Sequence, residues 1–93
     1  MEVLSVIGYD ESVEALGDSD EVHAARVALL LHVQVYPDRG DPMEGLHSLV
    51  AKTRSQPGMA ALRLVYRVDG ESILLYDLSR YDELAEGHTL RSS

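Results

Sequence analysis

Residues 61–77 read Ala-Leu-Arg-Leu-Val-Tyr-Arg-Val-Asp-Gly-Glu-Ser-Ile-Leu-Leu-Tyr-Asp. Two β-type apolar runs flank the pair Asp69-Gly70. That pattern signals a β-hairpin, because both central residues of a type I′ turn need positive φ and Asp-Gly adopts it at little cost. Along the first arm, Leu62, Leu64, Tyr66 and Val68 alternate with Arg63, Val65 and Arg67, so the two sets point to opposite faces of a sheet. Arg63 and Arg67 therefore share a face, expected to be the open one, and Arg80 follows just beyond the second arm.

The rest of the chain reads outward from this hairpin. Residues 59–68 and 72–78 are its two strands, and residues 47–53 form a further strand before a Ser55-Gln56-Pro57-Gly58 turn of type I or II. At the N-terminus, residues 2–8 form a short β-type run. A short helix starts at Tyr9-Asp10-Glu11-Ser12, with Asp10 as N-cap, Val13 and Leu16 facing inward, and Gly17 at C′. A second helix restarts at Asp18-Ser19-Asp20-Glu21. Either Asp18 or Ser19 can cap it, and Glu21 lies three residues after Asp18 as in a capping box. Val22, Ala25, Leu29, His32 or Val33, and Tyr36 recur at helical spacing, and Ala28, Leu31 and Val35 widen the apolar surface. Such a helix should be covered on more than one side. Residues 32–36 alternate, so a strand competes there. Pro37 stops the element, and residues 37–42 are a loop.

The order is β-α-α-β-β-β. This is an α+β fold with an N-terminal strand, a helical hairpin and a three-stranded antiparallel meander, both helices packing on one sheet face. Residues 81–86 read as one helical turn and residues 87–93 as a flexible tail, which gives one domain over residues 1–86.

Bulk properties bound the function. A chain of 93 residues with 45% hydrophobic content supports one modest core. It contains no cysteine, so disulfides and thiolate zinc sites are excluded. The N-terminus lacks a basic leader, and no apolar run approaches the ~18 residues of a membrane span, so the expectation is a soluble cytoplasmic protein without membrane contact. The net charge of −8 argues against a general nucleic-acid binder. The charge is uneven, however. Residues 1–46 balance at −8, residues 47–80 at +2 and the remainder at −2, so most cations lie in the expected sheet.

Other chemistry finds little support. His23, His32, His47 and His88 show no metal-ligand spacing, and Asp10, Glu11 and Glu14 read as a solvated helix start. Ser5, Ser12 and Ser48 lack a nucleophile-elbow context, and the glycines form no phosphate loop. The tyrosines read as core and rim packing rather than base-stacking platforms.

The constellation resembles the RelE/ParE superfamily of bacterial toxins. Arg63-Leu64-Val65-Tyr66-Arg67-Val68-Asp69-Gly70 matches that family's Arg-Leu-Val-Tyr-type strand and tight hairpin. Residues 9–16 resemble the opening of its first helix, and Pro42-Met43-Glu44-Gly45-Leu46 resembles its segment before the second strand. The resemblance implies the toxin of a type II toxin-antitoxin system, a hydrolase-type endoribonuclease that cleaves mRNA in the ribosome without a cofactor or metal. It implies a basic cluster on the concave sheet face. Lys52 and Arg54 match a Lys-x-Lys pair, Arg63 matches the arginine opening the strand, and Arg80 matches the arginine after the last strand. Attack by an RNA 2′-hydroxyl builds negative charge on the phosphate oxygens, which fixed cations stabilise. A cognate antitoxin is the implied partner, with ribosome and mRNA as targets, and a homodimer is equally open.

The chain also departs from the pattern. Where the ribonuclease branch carries a C-terminal tyrosine, this chain has Leu84, Glu86 and Gly87, with Tyr81 and His88 as the nearest substitutes. Its helices are acidic rather than basic, and its last strand ends Leu78-Ser79-Arg80 instead of Gly-His/Lys-Arg. The superfamily also holds gyrase inhibitors, so the alternative is a non-enzymatic interaction protein on the same scaffold.

Overall fold

The structure, a computed structural model, describes residues 2–42 and 48–81. The elements run β1 (Glu2–Ser5), α1 (Ile7–Leu16), α2 (Asp20–Val35), β2 (Asp41–Pro42), β3 (Leu49–Lys52), β4 (Leu62–Asp69) and β5 (Ser72–Arg80). They build an α+β fold with two helices and one five-stranded sheet in the order β1-β5-β4-β3-β2. The segment 43–47, the expected turn beyond Tyr81 and the expected tail lie outside the described residues.

The meander β3-β4-β5 is present and antiparallel. The sheet as a whole is mixed and has five strands, one more than the four expected. β1 lies parallel to β5, pairing Glu2 with Ser72 through Ser5 with Leu75. Ile73, Leu74 and Leu75 are three consecutive apolar residues, a run suited to a strand with neither face fully open, and Leu74 is half-buried on the face away from the helices. A fifth strand comes from the expected loop, where Asp41 and Pro42 pair with Val50 and Leu49. Proline is tolerated there because β2 forms the sheet edge.

The first helix begins earlier than its sequence suggests. Val6 is the N-cap and has no side-chain cap bond, so Asp10 lies inside the first turn instead of capping it. The backbone explains the shift. The Val6 N–H donates to Leu75 O at 3.1 Å and completes the strand contact, while Val6 O accepts from the Tyr9 and Asp10 N–H groups and opens the helix. Gly17 ends α1 with φ +83°. For α2, Ser19 is the cap, its Oγ accepting from the Val22 N–H at 3.3 Å; this cap leaves Glu21 one position short of a capping box. The alternating segment 32–35 is helical, with the Tyr36 N–H closing on His32 O.

The core forms between the helices and one sheet face. Val22, Ala25, Leu29 and Val33 of α2, with Tyr9 of α1, meet Leu62, Leu64, Tyr66, Ile73, Leu75 and Leu78. The Tyr9 hydroxyl also accepts from Arg26 Nε at 3.3 Å and ties the helices together. Contrary to the expectation that α2 is covered on several sides, Val27, Leu31 and Val35 stand exposed. Beyond β1, the outer edge of β5 meets α1. There Ser12 Oγ donates to Tyr9 O at 2.7 Å and accepts from the Leu78 N–H at 3.0 Å, replacing the missing strand neighbour.

Two details of the hairpin differ from the sequence pattern. Asp69 pairs with Ser72, so the central residues of the turn are Gly70 and Glu71 rather than Asp69 and Gly70. Gly70 has φ +61°, and no non-glycine residue described has positive φ, which is the type II′ arrangement instead of type I′. This register sets Val68 against Ile73 and Tyr66 against Leu75; the one-residue alternative would have set Val68 against Glu71. The second detail is a β-bulge. Val65 faces Asp77 while Tyr66 faces Leu75, leaving Tyr76 as an extra residue in β5. The bulge brings Leu78 to the core face and turns Asp77 away from it; strict alternation from Ile73 would have done the reverse.

Tyr66 anchors the far side. Its hydroxyl donates to Pro37 O at 2.9 Å. Gly40 is required beside it, since a Cβ there would stand 2.9 Å from Leu49 Cβ and closer still to the Tyr66 hydroxyl. Burial pushes the phenol above its ordinary value of 10.0; the Gly40 backbone hydrogen bond works against this shift, and Asp38 and Asp41 reinforce it.

Candidate functional site

The register of the meander decides which cations meet. Lys52 of β3 lies directly across from Arg63 of β4, and Arg63 lies across from Ser79 of β5. Cross-strand partners share a face. Their neighbours Ala51, Leu64 and Leu78 are buried under the helices, so Lys52, Arg63 and Ser79 form one row on the opposite face. Arg67 lies on that same face, as its alternation implies, but four residues further along β4.

Tyr81 closes the row at the end of β5. The Lys52 ammonium sits 5.2 Å from its ring centroid, within cation–π range. Its hydroxyl donates to Thr53 O at 2.7 Å. Thr53 is itself fastened to the entry of β4, through Oγ1 to Ala60 O at 2.8 Å and from the Leu62 N–H at 3.0 Å. Backbone and side-chain bonds thus fix the ends of three strands around Arg63. Within the row, Arg63 Nε and Ser79 Oγ are buried and have no hydrogen-bond partner. Buried polar atoms are rarely left so. An oxyanion is the class of group that a guanidinium and a hydroxyl would jointly satisfy.

The remaining expected site residues are placed less closely. Arg54 is exposed two residues past Lys52, beyond the end of β3, at the rim of the row. Arg80 pairs with Leu62, whose side chain is buried on the helix face, so Arg80 is on the opposite side of the sheet from Arg63. The bulge at Tyr76 causes this, because it reverses the alternation of every β5 residue that follows. The same reversal brings Ser79 and Tyr81 to the Arg63 face. Ser79 and Thr53 had no motif to mark them. Tyr81 carried the one usable signal, being an aromatic residue next to the last arginine.

The row supplies positive charge, donors and one aromatic ring. His23 and His32 lie exposed on α2, away from it, while His47 and His88 fall outside the described residues. Among the described residues, no group of three or more His, Asp or Glu is placed to hold a metal ion. No helix among them is long and apolar enough to cross a membrane. The chain matches no family model, and neither the curated proteins nor the solved structures contain a significant match to it.

Proposed function

We propose that this chain is a diverged, acidic toxin of RelE type, acting on mRNA in the ribosome. The observation that supports the reading most is the cross-strand row of Lys52 and Arg63 with the unpartnered Arg63 Nε at its centre. In this reading the RNA 2′-hydroxyl gives its proton to water as it attacks the adjacent phosphorus, and the P–O5′ bond breaks with the 5′-oxygen taking a proton from water, leaving a 2′,3′-cyclic phosphate. Arg63 and Lys52 hold the phosphate oxygens as charge accumulates on them, and Arg54 holds the strand at the rim. Tyr81, gripped by Thr53 and Lys52, stands where a base or sugar would rest. Arg80 takes no part in this row. A cognate antitoxin would hold the protein inactive, and a small adjacent reading frame encoding one would support the class.

Expression in a bacterium tests the proposal. Growth arrest with mRNA cut in translating ribosomes is expected, relieved by Arg63→Ala and Lys52→Ala and retained by Arg80→Ala. A wild-type protein that is harmless and indistinguishable from Arg63→Ala ends the proposal.

A second reading, an interaction protein on the same scaffold, is favoured by a different surface. A groove of about 650 Å³ runs between α1 and α2, where Asp10, Glu14, Asp18 and Asp20 surround Val13 and Val22. Its charge suits a basic protein segment rather than RNA. Recovery of gyrase or another protein with no RNA cleavage would select this reading. Cleavage without any protein partner would reject it.

A further inference from the structure

We propose that Ser79 is a phosphate-binding residue: its hydroxyl and Arg63 Nε together hold one oxygen of a phosphate group. The source of that phosphate, an RNA strand, rests on the ribonuclease reading; the pair of donors does not. Arg63 and Ser79 are direct partners across β4 and β5. Side chains opposed in this way stand about 4.5–5.5 Å apart at Cβ, within reach of one common ligand. Arg63 Nε and Ser79 Oγ are the buried side-chain polar atoms without a hydrogen-bond partner among the described residues. A single orphaned atom has many causes. Two at one register position, on different strands, share a geometry that one ligand atom satisfies.

The chemistry of the pair identifies the ligand. Arg63 Nε carries a fixed N–H, and the Ser79 hydroxyl rotates to donate, so their shared partner is an acceptor. Lys52, across from Arg63 on its other side, adds positive charge, so that acceptor is an anion. Asp77 shares this face across from Val65, and no ion pair joins it to Arg63. The guanidinium is therefore not neutralised from within the strand that carries Ser79. A phosphate group presents one oxygen to the pair and turns others toward Lys52 and the outer nitrogens of Arg63. A planar carboxylate has only two oxygens and spans less of the row. Both residues are half-buried, so an incoming anion reaches the sealed atoms by displacing side chains, with the sheet intact. Ser79 owes its place on this face to the bulge at Tyr76.

Nitrogen-15 NMR of the full chain, titrated with inorganic phosphate against sodium chloride at equal ionic strength, tests the pair. The Arg63 Nε–H signal, identified by its loss in Arg63→Lys, should move with a Kd of about 1 mM. Ser79→Ala should raise that Kd about tenfold, whereas Ser79→Thr keeps the hydroxyl and should stay within about twofold of wild type. Arg67→Gln removes an equal charge from the same face and should also stay within about twofold. The Tm of Ser79→Ala should not fall, since alanine removes a sealed hydroxyl that bonds nothing. A silent Nε–H signal up to about 50 mM phosphate, an equal response to acetate, an unchanged Kd in Ser79→Ala, or an equal loss in Arg67→Gln overturns the proposal. A uridine tetranucleotide without terminal phosphates separates the sources. Movement of the same signal at lower concentrations than phosphate supports an RNA strand, and a response to inorganic phosphate alone overturns that source. The two readings also fail separately. Phosphate binding that depends on Ser79 in a chain harmless to bacteria sinks the ribonuclease alone, and undiminished mRNA cleavage by Ser79→Ala sinks the role of Ser79 alone.

Discussion

The two faces of β4 differ in what their residues are asked to do. Leu62, Leu64 and Tyr66 are fully buried, and Leu64 and Tyr66 each have an apolar partner across both neighbouring strands. Arg63, one residue away, is half-buried and carries a polar atom with no partner. Among the described residues, the first face seals no side-chain polar atom without a partner, whereas the second leaves two such atoms, Arg63 Nε and Ser79 Oγ. The contrast separates stability from function along a single strand, since ordinary core residues are not left with unmet hydrogen bonds.

Substitutions on the two faces should therefore fail differently. Leu64→Ala should cost about 3 kcal/mol in urea unfolding, through lost burial and the cavity left behind. Arg63→Met should leave stability within about 1 kcal/mol of wild type, because it removes a buried atom that is already unsatisfied. Under the proposed ribonuclease reading it should lower ribosomal cleavage by about 10²- to 10³-fold. A collapse of stability in Arg63→Met like that of Leu64→Ala would erase the distinction. Ser12→Ala probes the edge between the faces. It should cost about 1–2 kcal/mol, since the Leu78 N–H loses its acceptor.

Tyr66 sharpens the sealed face through pH. Its folded pKa lies above 10.0, chiefly through burial, so the folded state holds the proton more tightly than the unfolded state. That contribution is fully present below 10.0 and is lost as pH rises through the folded value. Unfolding midpoints should fall in strongly alkaline buffer. Tyr66→Phe should lose about 1 kcal/mol at neutral pH with the Pro37 hydrogen bond, and its alkaline decline should be shallower. The smallest effect is expected at the turn, where Gly70→Ala forces φ +61° on an alanine and should cost about 0.5–1 kcal/mol.

What the sequence revealed follows from how local each feature is. The arms of the hairpin were legible because alternation is a property of neighbouring residues, and Gly17 was legible as a helix end, with Asp18 or Ser19 as the next start, for the same reason. The exact turn was not, since placing Gly70-Glu71 at its centre depends on Val68 finding Ile73 across the sheet. The parallel seat of β1 and the two-residue β2 depend on partners far along the chain. In the site, parity along β4 placed Arg63 and Arg67 on one face, while Lys52 entered through the resemblance, and the register then sets it across from Arg63. Arg80 was grouped with them by a resemblance that carries no parity. Asp77-Leu78 interrupts the apolar run, and only the assembled core shows that a bulge at Tyr76 resolves the interruption.

That one extra residue has a wider consequence for how such a site can change. Tyr76 behaves like a reading-frame marker for the end of β5. With it, a hydroxyl at 79 and a phenol at 81 come round to the arginine row. Deleting Tyr76 would restore an unbroken ladder and leave each of these facings as it is. Drawing Tyr76 into the ladder would instead put the guanidinium of Arg80 on their side and take Leu78 out of the core. A slip between the bulged and the regular pairing of this strand would therefore exchange one set of chemical groups for another beside Arg63, with no amino acid replaced.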